Sequence, residues 1–239
     1  MRDPNSITSH VYELETPPAL IELHDIPRYD IYDYDLNDEK SFKSYMQAIE
    51  RNVRQSFEYK AMIKYLREYM DMNQCAFYKN VNNIDTTRIK IEIHHEPLSL
   101  YDICVIVYNK RVSFHEPLDE EYVAKEVMYL HYNLLVGLIP LAETVHQLVH
   151  AQYLFVPTTA VLGKYKEFVD RYHDYMLPEQ IEALEHIEEA TRVYDDSDAK
   201  TLLSRQYIYI DTSGSYDLPK LEDVASMVKE RITQIIDQK

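Results

Sequence analysis

The sequence predicts an α+β protein with a mainly helical body. Long stretches place apolar residues at three- to five-residue steps, the spacing of one buried helix face. Two short runs near residues 75–94 alternate in polarity as strands do. The chain has 239 residues, 46% of them hydrophobic, which is enough to bury a substantial core.

Residues 1–37 carry Pro4, Pro17, Pro18 and Pro27 and the acidic, tyrosine-rich run Tyr29–Asp35. Proline density without helical period predicts an extended arm. From Asp38 the pattern turns helical, with Asp38 and Glu39 suited to the positive end of a helix dipole. Phe42, Met46, Ile49, Val53, Phe57, Met62 and Leu66 then form one inward stripe, which predicts a single helix to about Met70 within an N-terminal segment 38–73. Residues 75–80 and 88–94 are expected to be strands joined by a turn at residues 82–85. In the second strand Lys90, Glu92 and His94 share one face, Ile89, Ile91 and Ile93 the other, and His95 falls on the isoleucine side.

Residues 98–109 predict a buried helix. Residues 118–135 predict another, with Val123, Val127 and Leu130 inward, set in an inserted stretch at about 117–136. The run from Gly137 to His150 has helical character. The C-terminal region, 158–239, predicts a turn and helix to Met176, then a helix opened by Pro178 with Ile181, Leu184, Ile187 and Ala190 inward. A loop at 194–200, a strand at 207–211 and a final amphipathic helix at 219–237 follow.

Composition removes several function classes. Three glycines cannot build a phosphate loop or a dinucleotide fingerprint. Cys75 and Cys104 form no CxxC pair, so neither a zinc ribbon nor a disulfide scaffold is indicated. No apolar run reaches the ~18 residues of a membrane span, and no signal-like stretch opens the chain, so a cytoplasmic protein without membrane contact is expected. The net charge of −16 is unevenly spread. Residues 40–111 hold 12 basic and 8 acidic residues, a balance of +4, and the remainder holds 13 and 33, a balance of −20. Positive charge therefore gathers in the segment that contains Lys64, Arg67, Arg88 and Lys90.

Six of the ten histidines lie between Ile91 and His150. His94 and His95 form a doublet in Ile91-Glu-Ile-His-His-Glu-Pro97, and His146 and His150 stand four apart on one helix face. That i,i+4 spacing is how a helix offers two imidazoles to one metal ion. His146-Gln-Leu-Val-His150 has the outline of a zinc-peptidase helix, yet Gln147 replaces the glutamate that takes the proton from water, so peptidase activity is not expected.

The run IEIHHEPLSL followed by GLIPLAETVHQLVH resembles the HNH, or ββα-metal, nucleases. In that family a strand ends in a metal ligand and a general-base histidine, and a helix reading N-L-x-P-L-x-x-x-x-H-x-x-x-H adds further ligands. The resemblance covers residues 74–157, with Cys75-Ala-Phe-Tyr at the start of the hairpin, and implies a β-hairpin/helix metal centre inside the helical body. It implies His94, His146 and His150 as metal ligands and His95 as the base, although Pro97 leaves ligand and base within the doublet open by one position. Gly137 stands where the family's middle Asn usually falls. The layout is also similar to bacteriophage proteins of HNH type, which implies a phage origin.

The implied function is a divalent-metal endonuclease acting on DNA in the host cytoplasm. Lys64, Arg67, Arg88 and Lys90 would contact substrate, and the ion would be zinc, manganese, nickel or magnesium. The alternative is a non-catalytic phage interaction protein that engages a basic partner through its acidic surface. In either case the C-terminal helices are expected to serve a protein partner or a homo-oligomer.

Overall fold

The computed structural model describes residues 22–27, 30–77, 90–151 and 153–195. Arg88, the turn expected at 82–85 and the elements expected at 207–211 and 219–237 lie outside them. Most of the arm expected at 1–37 does too; its described end carries a short 3₁₀ turn, Ile31–Asp33, and buries Leu23.

The helix expected over residues 38–70 is two helices, α1 (Glu39–Gln55) and α2 (Phe57–Tyr69). Ser56 divides them. Its backbone is extended at ψ 147, its hydroxyl donates to the Val53 carbonyl, and the same oxygen accepts from the Tyr59 amide as an N-cap. The Phe57 amide, without a helical partner at the break, donates to the His24 carbonyl. The inward stripe survives the break: Met46, Ile49, Val53, Met62 and Leu66 are all buried.

β1 (Ile91–His95) is followed by α3 (Leu100–Ser113), opened by a Ser99/Asp102 capping box, and by α4 (Glu120–Tyr132). These two helices pack with α1 around a core that includes Tyr45, Ile106, Val107, Val127 and Met128. Lys110 and Arg111 on α3 reach Glu126 on α4, whose carboxylate also accepts from the Tyr172 hydroxyl, so the buried charges are paired.

The partner of β1 corrects the sequence expectation. It is β2 (Leu138–Ala142), antiparallel, in the register His95↔Leu138, His94↔Ile139 and Ile91↔Ala142. Residues 75–77 form no strand with β1; instead the Ala76 amide donates to the Pro140 carbonyl on the far edge of β2. In a strand the N–H and C=O of one residue point the same way, so Pro140's missing N–H lies on that far edge and costs no bond to β1. The run from residue 137 to 150 is therefore a strand joined to a helix, α5 (Glu143–His150). The two strands are not a hairpin, because α3 and α4 lie between them in sequence.

Gly137 is fixed by close approach. A Cβ there would lie 1.8 Å from the Glu96 carbonyl oxygen and 2.7 Å from Val161 Cγ1. The Glu96 amide donates to the Gly137 carbonyl at 3.1 Å, so the end of β1 and the start of β2 lie backbone to backbone. An asparagine has no room at this position.

The chain continues through α6 (Tyr165–Tyr172) and α7 (Pro178–Asp195). The α7 helix runs two residues into the stretch expected as a loop, and it buries Gln180, Leu184 and Thr191 while Ala190 is exposed. Gln180 explains the shift of face, because its side-chain amide donates to Asp102 in the α3 capping box.

Candidate metal centre

Strand alternation and one turn of helix assemble the histidines. On β1, Glu92 and His94 point to the same side, toward α5, while His95 points to the other. On α5, His146 and His150 are one turn apart and meet His94 with ring centroids 4.8 and 5.1 Å away. One ligand nitrogen from each of the three rings can be chosen so that all lie within 4.8 Å of one another. Nε2 of His146 and Nε2 of His150 are 2.9 Å apart. A tetrahedral ion with ligand bonds of ~2.0–2.1 Å separates its nitrogens by ~3.3 Å, within the range these three span.

The protons can be placed. Glu92 Oε2 lies 2.5 Å from His146 Nδ1, so that nitrogen donates to the carboxylate and Nε2 presents its lone pair. This is the carboxylate–histidine arrangement that orients metal-ligating imidazoles and raises their basicity. Lys90 pairs with the same carboxylate, and these contacts hold Glu92 below the usual carboxylate range, with Lys90 the largest influence. His146 and His150 are both pushed down, chiefly by burial, which favours the neutral rings that ligate metals. His94 is buried and His150 exposed, so the cluster has a solvent side. Glu96 Oε2 lies 3.2 Å from His94 Nε2, which places a carboxylate beside the cluster; Glu143, on the first turn of α5, is exposed. Three imidazoles, an outer carboxylate and an open side fit a divalent ion.

His95 does not join them. Its Nε2 lies 2.8 Å from Nε2 of His131 on α4, and His131 Nδ1 lies 2.7 Å from the Val127 carbonyl, to which it must donate. His131 Nε2 is then the acceptor and His95 Nε2 the donor. Tyr59 of α2 stacks on the His95 ring at 6.4 Å and 13°. Burial pushes His95 well below the ordinary histidine range and His131 down to about 4. The base expected from the resemblance is thus a neutral, buried donor to another histidine.

Of the expected substrate contacts, Lys90 is exposed and paired with Glu92. Lys64 and Arg67 line an open hollow with Arg54, Tyr59, Lys60 and Glu68. Sequence reasoning assigned no task to Glu92, though its position two residues before His94 on the same strand face was the available signal.

These features define an α+β protein with a histidine cluster suited to a metal between its two strands and a short helix. The chain belongs to the bacteriophage G278-like virion protein family, whose model matches residues 18–214, and it is therefore a phage protein. No curated protein and no solved structure matches it. Among the described residues no helix is long and apolar enough to cross a membrane.

Proposed function

We propose that this phage protein is a metal-dependent endonuclease that hydrolyses phosphodiester bonds of DNA, acting from the virion or in the host cytoplasm. The observation that carries the reading is the convergence of His94, His146 and His150, with Glu92 fixing the His146 tautomer. The strand–strand–helix order of β1, β2 and α5 agrees with it, and the cations of α2 line a hollow that reaches β1 through the Arg67–Ile91 hydrogen bond. When bound, a divalent ion would supply Lewis-acid stabilisation of charge on a phosphoryl oxygen. All-imidazole ligation suits zinc, nickel or manganese better than magnesium, which prefers oxygen ligands.

In this reading each side chain has a task. His94, His146 and His150 would hold the ion, Glu92 orients His146, and Lys64 and Arg67 would hold substrate phosphate. Glu96, 3.2 Å from His94, would take the place of His95 in accepting a proton from water.

The test is cleavage of supercoiled plasmid and single-stranded DNA with Zn²⁺, Mn²⁺, Ni²⁺ or Mg²⁺, with the His146→Ala/His150→Ala variant as control. Nicking by the parent alone is expected. A folded, metal-loaded parent that cuts neither substrate in any metal would overturn the nuclease reading.

A second reading is favoured by the sequestration of His95. Here the protein is a non-catalytic virion component in which the metal ties β1 to α5, and the acidic α7 engages a basic partner. Retained metal binding with no cleavage is the result it requires.

A further inference from the structure

Outside the strand–strand–helix unit, α2 forms one wall of an open hollow of about 460 Å³. Arg54, Lys60, Lys64 and Arg67 line it together with the carboxylate of Glu68. From Arg51 to Arg67 the chain carries five basic residues against Glu58 alone, a balance of +4 in a chain of −16. Glu58 is itself buried and engaged by the backbone and ring of His24.

Lys60 and Lys64 are open to a ligand, while Arg54 is paired with Glu50 at 2.9 Å. Lys60 is exposed and makes no ion pair among the described residues. Lys64 meets Glu68 at 3.6 Å, with both side chains more than half exposed, a contact too weak to exclude a competing anion. Arg67 is anchored, since one guanidinium nitrogen donates to the Ile91 carbonyl of β1, and its buried Nε has no partner among the described residues. Lys60, Lys64 and Arg67 follow one another along α2, spanning ~10 Å at ~1.5 Å per residue. Measured along a B-DNA axis, where one strand contributes a phosphate every ~3.4 Å of rise, that is the length of about three phosphates.

The hollow is also joined to β1. Tyr59 lies in its wall and stacks on His95, on the face of β1 opposite the cluster, and Arg67 donates to the Ile91 carbonyl of the strand that carries His94. We infer that the α2 hollow is a phosphate-backbone subsite for a nucleic-acid strand, held there with or without metal. The substrate class rests on the endonuclease reading; the binding does not need the metal.

The experiment measures binding of fluorescently labelled single- and double-stranded DNA to the full chain by anisotropy, in EDTA, across a KCl series. Lys60→Glu/Lys64→Glu alters only exposed side chains. It should weaken binding at least ten-fold and lower the salt slope by roughly 1.4–1.8, at ~0.7–0.9 per cation lost. His146→Ala/His150→Ala should bind as the parent does. Tighter binding of either DNA form supports the subsite and names the strandedness it serves.

Parent-like binding by the lysine variant overturns the inference. So does competition by poly-glutamate or by anionic phospholipid vesicles as effective as that of DNA at matched charge. Failure here is separable from failure of the nuclease reading. A protein that binds DNA through α2 but never cuts loses only the chemistry, and one that cuts with unchanged affinity in the lysine variant loses only the subsite.

Discussion

Glu92 and His146 are joined by a hydrogen bond of 2.5 Å from the imidazole Nδ1 to the carboxylate, linking β1 to the histidine-bearing face of α5. The bond fixes which nitrogen of His146 is offered to an ion. Glu92→Gln keeps the shape and removes the charge, so calorimetric titration should show divalent-metal affinity falling by roughly 10–100-fold. Unchanged affinity would mean that the carboxylate does not serve the cluster.

Gly137 sets the contact between the start of β2 and the end of β1. Because a Cβ would fall 1.8 Å from a backbone oxygen, no flexible side chain can move aside to accept it. Gly137→Ala should lower stability by about 2–4 kcal/mol in urea unfolding. Gly137→Asn should cost at least as much. An asparagine variant as stable as the parent would show that the backbone approach is looser than 3.1 Å between Glu96 N and Gly137 O implies.

Helical stripes were legible because their signal is local: Met46, Ile49, Val53, Val123, Val127 and Leu130 are buried as their spacing predicts. The strand Leu138–Ala142 was not. It is buried at all five positions, so it shows no alternation, and a continuous apolar run reads equally as helix. Its pairing with residues some 45 positions away has no local signature. The break at Ser56 was a single capping residue inside an unbroken apolar stripe, and the stripe hid it. For the histidines, the strand alternation that separates His94 from His95 and the i,i+4 pair on α5 were readable. That His95 meets His131, 36 residues on, depends on how α4 packs against β1, which no spacing in the sequence encodes.

His95 and His131 form a buried pair in which each depends on the other. His95→Ala leaves His131 Nε2 without a donor in a site closed to water and opens space beneath Tyr59. A stability loss of about 2–3 kcal/mol in urea unfolding follows. The cluster of His94, His146 and His150 lies on the other side of β1, so any divalent-metal affinity should stay within about two-fold of the parent, whereas His146→Ala should abolish tight binding. If His95→Ala loses metal as completely as His146→Ala does, His95 is a ligand and the division of the two histidine groups is wrong.

The same pair makes the fold sensitive to acid. His131 is held down to about 4 by burial, against an ordinary value near 6.5, and His95 is held low by the same cause. With the folded value depressed, the unfolded chain takes up protons first. The contribution to stability is therefore complete above pH ~6.5 and is lost as the pH falls from there through about 4. For His131 the loss is on the order of 3 kcal/mol. Urea unfolding in EDTA between pH 7.5 and 4 should show a steep decline for the parent and a shallower one for His131→Gln. The glutamine carbonyl can still accept from His95 but does not titrate. His146 and His150 titrate in both proteins, so the difference between the two curves reports the buried His95–His131 pair. Parallel curves would show that His131 is protonated in the folded protein at an ordinary pH, and the donor–acceptor order assigned to the pair would have to be reversed.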